Sequence, residues 1–240
     1  VDDGSPSLDI SLEMLRQAAR HGTSQMVATP HANLDYPYDP AVIAERFAEL
    51  QAANDSGMKL HLGCDFHLAY EYIEDALANP RKYTIAGGAY LLVEFSDFVI
   101  LKTTGEIFSS LLRHGMRPVI THPERNLLLQ KRLDDLGEWV AMGCGIQVTG
   151  QSLLGDFGSR AQKFAERLLD EGLVHVVASD AHDLEHRPPR LDLAYERVAG
   201  EWGEEGARHL FVENPGAVLG SGNWAGVTAK RKRRFFSFLR

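Results

Sequence analysis

Five short stretches of this 240-residue chain place imidazoles, carboxylates or guanidiniums directly after apolar runs. ATPH ends in His31, and GCDFH holds Asp65 and His67. VEFS holds Glu94, and THPER holds His122, Glu124 and Arg125. ASDAHDLEHR holds Asp180, His182 and Arg187. Neutral imidazole mixed with ionised carboxylate suits borderline divalent ions such as Mn, Fe(II) or Zn, more than the all-oxygen sites of Ca or Mg. More than four converging ligands imply more than one ion, with a carboxylate such as Glu94 or Asp65 able to bridge. The opening VDDG turn offers further carboxylates. Arg125 follows His122 by three residues and Arg187 follows His182 by five. A guanidinium beside metals suits bidentate binding of a phosphate oxyanion. Any one of these residues is ordinary on its own: Asp180 is a common kind of loop opener, and His31 can be a turn histidine after Pro30. Their repetition is what carries weight.

The elements that must position them are legible from the pattern. QMVAT (25–29), KLHLG (59–63), YLLVEF (90–95), RPVIT (117–121), GIQVT (145–149) and LVHVVAS (173–179) are short, continuous apolar runs, as expected of strands covered on both faces. Five of the six deliver a potential ligand at the carboxyl end; GIQVT leads into GQS, which has no titratable group. Helical patterns alternate with them: SLDISLEMLRQAARHG, PAVIAERFAELQAANDSG, TGEIFSSLLRHG, RLDDLGEWVAMG, SRAQKFAERLLDEG and LDLAYERVAG. Recurrent βα units imply a parallel sheet, open or closed as a barrel, and ligands gather where the strand ends converge.

The remaining features mainly exclude. No GxxxxGK[ST] loop and no strand-borne GxGxxG occurs. Neither Cys64 nor Cys144 has an arginine six positions later, so the thiolate phosphatase loop is absent, and both cysteines read as small buried hydrophobes. Two cysteines make no disulfide framework, no apolar run reaches the length of a membrane helix, and a cytoplasmic setting is expected. The net charge is −8, but the last eleven residues, KRKRRFFSFLR, carry six of the 25 basic side chains and no acid. The rest of the chain is therefore strongly acidic, which argues against nucleic-acid binding. The tail is read either as a flexible terminus or as a peripheral contact with an anionic membrane face.

As an ordered set, VDDGS, ATPH, GCD, VEFS, THPER and ASDAH–HRPP resembles the polymerase-and-histidinol-phosphatase (PHP) superfamily. Within it, the set is similar to the bacterial capsule-biosynthesis tyrosine-protein phosphatases of the CpsB/CapC type, from Val1 to about Leu219. The resemblance implies an α/β fold, a distorted (β/α)7 barrel whose first strand is missing or incomplete in this chain. It implies a PHP metallophosphatase domain over 1–222 and a basic tail over 223–240. Two or three divalent ions are implied, Mn with Fe or Zn as alternatives, held by Asp3, His31, Asp65, Glu94, His122, Asp180 and His182. Arg125, Arg187 and His122 are the implied catalytic groups, while His67 and Glu124 are read as supporting polar groups. The implied reaction is hydrolysis of phosphotyrosine on a membrane-associated bacterial tyrosine kinase in capsule or exopolysaccharide biosynthesis. Two alternatives stand beside it: a small-molecule, histidinol-phosphatase-like phosphoesterase, and an inactive phosphotyrosine-binding remnant. The last follows from a departure, since the family's His-x-His strand ahead of VDDG is not in this sequence. A second departure is Asp65, which stands where the family usually has Glu.

Overall fold

The computed structural model describes residues 1–224. Eight strands form among them: β1 (Gln25–Ala28), β2 (His31–Ala32), β3 (Lys59–Leu62), β4 (Asp65–His67), β5 (Tyr90–Glu94), β6 (Arg117–Thr121), β7 (Gly145–Thr149) and β8 (Val176–Ala178). The helices are α1 (Leu8–Arg20), α2 (Pro40–Ala53), α3 (Tyr70–Ala78), α4 (Thr104–Arg113), α5 (Leu133–Ala141), α6 (Gly150–Leu154), α7 (Gly158–Asp170), α8 (Asp192–Trp202), α9 (Glu204–Arg208) and α10 (Asn214–Leu219). All six expected strands and all six expected helices are present. The pattern does not announce α3, α6, α9 or α10, three of which are only five or six residues long. No helix among the described residues is long and apolar enough to cross a membrane.

Local chemistry sets the helix ends. Ser7 caps α1 by accepting the Ile10 amide, and Asp39 caps α2 by accepting the amides of Ala41 and Val42, with Pro40 at the first turn. Gly22 and Gly115 follow α1 and α4 in the left-handed region that a helix-ending turn requires.

All strand pairs are parallel, and the six-stranded sheet runs β2-β4-β5-β6-β7-β8, without a reversal of order. The β1-β3 pair forms a second, two-stranded sheet. The two sheets are consecutive pieces of one ribbon. Ala28 stands opposite Leu62, and three residues later His31 stands opposite Asp65. Pro30 has no N–H to continue the ladder. Even so, Gly63 N donates to the Ala28 carbonyl at 2.8 Å and Asp65 N to the Pro30 carbonyl at 3.0 Å, so the register survives the break. The sequence pattern ends these strands at Thr29 and Gly63. The chain resumes extended pairing just beyond, and His31, Asp65 and His67 therefore sit within strands instead of in the loops after them.

Alternation along the strands separates two cores. Leu91, Val93, Ile120, Ile146, Val148 and Val177 pack with Phe108, Leu111, Leu136, Phe164 and Leu168 of the surrounding helices. The opposite parity places Tyr90, Leu92, Val119 and Val176 in a separate cluster with Ile85 and Val218. Trp224 packs on this second cluster, its ring 4.6 Å from that of Tyr90 and 4.7 Å from that of His175. Asn223 accepts a bond from Arg117 at 2.6 Å. Both residues lie beyond the expected boundary at 222, yet they pack on the sheet. The basic run 230–240 lies outside the described residues.

Candidate metal and phosphate site

The parity that builds the second cluster also builds the site. Counting by twos from Tyr90 and Leu92 reaches Glu94 at the carboxyl end of β5. Register then places His67 opposite Glu94, Asp65 opposite Leu92 and His31 opposite Asp65, all on the same face. Two positions beyond Ala178 on that parity is Asp180.

Glu94 is the hub of the cluster. Its Oε2 contacts His67 Nε2 and lies 3.6 Å from His31 Nε2, while its Oε1 lies 3.4 Å from His122 Nε2. Ligand atoms of His31, Asp65 and Glu94 all lie within 4.8 Å of one another, as do those of Asp2, Asp3 and His31. Asp3 Oδ1 is 3.3 Å from His31 Nδ1 and 3.9 Å from His182 Nε2, linking the last strand to the first residues of the chain. His182 Nδ1 is tied to the Asp180 carbonyl at 3.0 Å, which leaves Nε2 facing inward. Asp180 Oδ2 accepts from both Arg125 and Arg187. The seven expected ligands and both expected arginines therefore belong to one network.

Two of the expected ligand positions carry backbone strain: His122 has φ of +32° and Asp180 has φ of +50°. Neither is glycine, and each such residue costs about 1–3 kcal/mol. The surroundings hold both. Arg125 N donates to the His122 carbonyl, closing the HPER turn, and Asn126 fastens that turn to the loop after β5 through the Ser96 carbonyl and Asp97. Asp183 Oδ1 accepts the amides of Glu185, His186 and Arg187, and His182 N donates to the Arg187 carbonyl. This small loop folds Arg187 back onto Asp180. The Arg125 guanidinium also stacks over the Phe157 ring at 4.5 Å. A cavity of about 120 Å³ opens beside Glu94, His122 and Arg125.

Burial and charge set the proton affinities. Burial and the neighbouring Glu94 raise the Asp65 carboxyl, although His31 opposes them. Burial also opposes ionisation of Asp180, but His122, Arg125 and Arg187 outweigh it and hold this carboxyl low. His122 is pushed down by burial, assisted by Arg125. For His31, burial favours the neutral form, but the Asp2 hydrogen bond and the charges of Asp65 and Glu94 raise it to about 9.

An observation independent of any ligand tests whether a cation fits. Asp65 Oδ1 is fully buried and has no hydrogen-bond partner. A buried carboxylate oxygen left without a donor is costly unless a cation satisfies it. Asp65 faces Glu94 and His31, and this mixture of oxygen and nitrogen donors suits borderline divalent ions. The residues present fit the group.

Two further residues join the site beyond those expected as ligands. His67 is in direct contact with Glu94; reading 65–67 as strand would have revealed it, through its shared parity with Asp65. Asp2, visible in the sequence only as an additional carboxylate, bonds His31. Glu124 is fully buried away from the cluster, its Oε1 accepting Thr149 N at 2.9 Å and Ser152 Oγ at 2.7 Å. Cys64 and Cys144 are buried, and burial pushes both thiols up, Cys144 to about 12.

Similarity to known proteins agrees with this geometry. The chain is 31% identical over 230 residues to the tyrosine-protein phosphatase CpsB of Streptococcus agalactiae serotype V, covering 91% of this chain and 93% of that one. It is 32% identical over 223 residues to the tyrosine-protein phosphatase YwqE of Bacillus subtilis, covering 91% and 87%. Among solved structures it superposes with a TM-score of 0.87 and 30% identity, over 97% of this chain and 95% of the other, on a chain from the crystal structures of YwqE from B. subtilis and CpsB from Streptococcus pneumoniae, described as unique metal-dependent tyrosine phosphatases. The family model for capsular polysaccharide synthesis proteins, CpsB/CapC, matches residues 1–220, and this chain belongs to that family.

Proposed function

We propose that this chain is a metal-dependent protein-tyrosine phosphatase acting on a bacterial tyrosine kinase of capsule or exopolysaccharide synthesis. The observation that carries the reading is the pairing of a cation cradle with two guanidiniums on one carboxylate: Arg125 and Arg187 meet on Asp180 beside the orphaned oxygen of Asp65. Two or three divalent ions, Mn foremost and Fe or Zn as alternatives, are assigned to Asp3, His31, Asp65, Glu94, His122, Asp180 and His182. Such ions supply Lewis-acid stabilisation and an activated water nucleophile when bound. Arg125 and Arg187 orient the phosphate and neutralise charge gathering on its equatorial oxygens. His122 contacts Glu94 on one side and feels Asp180 and Arg125 on the other, so it reaches both halves of the site. The leaving phenolate has a pKa of about 10 and needs little protonic assistance.

A protein substrate is favoured by the rim. Leu34, Tyr70, Phe98, Val99, Leu101 and Leu127 are exposed apolar side chains, and all lie on segments leaving the carboxyl ends of β2, β4, β5 and β6. Apolar surface rimming a polar site suits a macromolecule more than a small phosphate ester. In this reading the singly wound wall is part of a distorted (β/α)7 barrel. The domain expected over 1–222 takes in Asn223 and Trp224 as well, with a basic tail after it, and the enzyme works in the cytoplasm with that tail near the membrane.

The test is a substrate panel with added Mn(II), comparing a phosphotyrosyl peptide with histidinol phosphate, with and without chelator. Hydrolysis of the peptide that chelation abolishes is expected. Activity that survives chelation, or a preference for histidinol phosphate, overturns the reading.

A further inference from the structure

Two adjacent aspartates open the described chain, and they stand in different surroundings. Asp3 has a side chain 46% exposed and points one oxygen between His31 and His182. Asp2 has a side chain only 14% exposed, and both its oxygens are already bonded. Its Oδ1 accepts the Gly4 amide at 3.1 Å, and its Oδ2 accepts two bonds from one residue, the His31 amide at 3.0 Å and His31 Nδ1 at 3.1 Å. A Cβ on Gly4 would stand 3.2 Å from that Oδ1, tighter than most real contacts, so this close turn favours glycine.

We infer that Asp2 is a positioning residue for His31, which fixes the imidazole tautomer and aims Nε2 at the metal cluster. An ionised carboxylate only accepts hydrogen bonds, so the nitrogen facing Asp2 carries the proton. In the neutral ring, the form that can bind a cation, the lone pair is then left on Nε2, the nitrogen 3.6 Å from Glu94. A carboxylate behind a metal-binding histidine typically orients the ring and strengthens its donor atom. The amide bond to the same oxygen adds something that a side-chain contact alone does not supply. It locks the start of β2 to the segment that carries Asp3, so ring and backbone are fixed by one group. VDDG thus divides its two carboxylates between aiming a ligand and serving as one. The inference rests on the proposed metal centre and adds to it a residue that touches neither ion nor substrate.

The test uses the full chain in two variants, Asp2→Ala and Asp2→Asn, with two readouts that do not involve phosphatase activity. Nitrogen NMR of the histidine rings in the chelated protein, at a pH above 9 where the His31 ring is neutral, reads the tautomer. His31 is expected to be protonated at Nδ1 in the unsubstituted chain and to lose that preference in Asp2→Ala. Titration with Mn(II), following free ion by electron paramagnetic resonance, reads stoichiometry and affinity. Asp2→Ala should bind the same number of ions, one of them about 10–100-fold more weakly, the range for removing such a partner. Asp2→Asn keeps an accepting oxygen and should recover most of the loss. If both variants bind one ion fewer, Asp2 is itself a ligand and the inference fails. It fails equally if tautomer and affinity do not change, or if Asn is no better than Ala. An unsubstituted chain that takes up no Mn(II) defeats the parent reading instead, while the tautomer measurement still decides the role of Asp2.

Discussion

The inner face of the sheet has two ends built from the same strands by opposite rules. At the amino end, Tyr90, Leu92, Val119 and Val176 close against Val218 and Trp224, and the Tyr90 hydroxyl donates to the Gly222 carbonyl at 2.6 Å. Those groups are apolar or fully bonded. At the carboxyl end, four residues further along β5, the same face carries Glu94 among imidazoles and a buried carboxylate oxygen without a donor. One end contributes stability; the other concentrates charge suited to a bound cation and anion. Stability and function are therefore separable along a single strand, and substitutions at the two ends should have different signatures.

The strongest test of that separation is Glu94→Gln. Removing the hub charge should abolish metal-dependent hydrolysis while leaving the melting temperature of the chelated protein close to that of the parent, as paired activity and thermal scans would read. Its mirror is Tyr90→Ala at the sealed end. That change should destabilise the fold by about 3–5 kcal/mol, the range for truncating a large buried aromatic, with kcat per folded molecule unchanged. Arg125→Ala should lower kcat by about 10²–10³, as for loss of one preorganised donor, with a smaller effect on folding. A large drop in melting temperature there would show that the guanidinium is holding the wall and not the substrate.

Smaller effects sharpen the contrast. Asp65→Asn should stabilise the chelated protein by about 1 kcal/mol, because it removes a buried carboxylate facing Glu94 with an orphaned oxygen. The same change should weaken Mn(II) binding. The pH profile has a definite sign. His31 is raised from 6.5 to about 9 in the folded, metal-free chain, so its stabilisation is complete below pH 6.5 and is lost as pH climbs through 9. Asp2 works oppositely: burial raises it, but the His31 bonds outweigh burial and take it from 3.8 to about 2. Its contribution is present above pH 3.8 and disappears as pH falls through 2. Tm in chelator should therefore decline between pH 6.5 and 9, whereas Mn(II) affinity should rise over that interval because binding displaces the His31 proton. A Tm that climbs with pH in chelator contradicts the assignment.

Much of this was legible in the sequence because strand periodicity and ligand spacing are local signals. Glu94, His122, Asp180 and His182 each follow an unmistakable apolar run, and their convergence follows from parallel order alone. What remained hidden depended on events too short to leave a period. The two-residue β2 and three-residue β4 lie past the breaks at Pro30 and Cys64, so the strand membership of His67 and its pairing with Glu94 could not be read. The bond from His31 to Asp2 joins residues 29 positions apart with no repeating pattern between them. The short α6, α9 and α10 hold too few turns to show a face.

On the proposed assignment of Asp180 as a cation ligand, the meeting of Arg125 and Arg187 on one of its oxygens makes cation and anion binding interdependent. Both guanidiniums are occupied by a carboxylate that is itself an assigned cation ligand. A cation drawing on Asp180 weakens its hold on the arginines and frees their donors for a phosphate. Conversely, a phosphate that captures the arginines releases Asp180 for the cation. Thermodynamic reciprocity then requires each ligand to tighten the other by the same factor. Such a site discriminates by coincidence: neither a free anion nor a free cation alone gains the full affinity that the two achieve together.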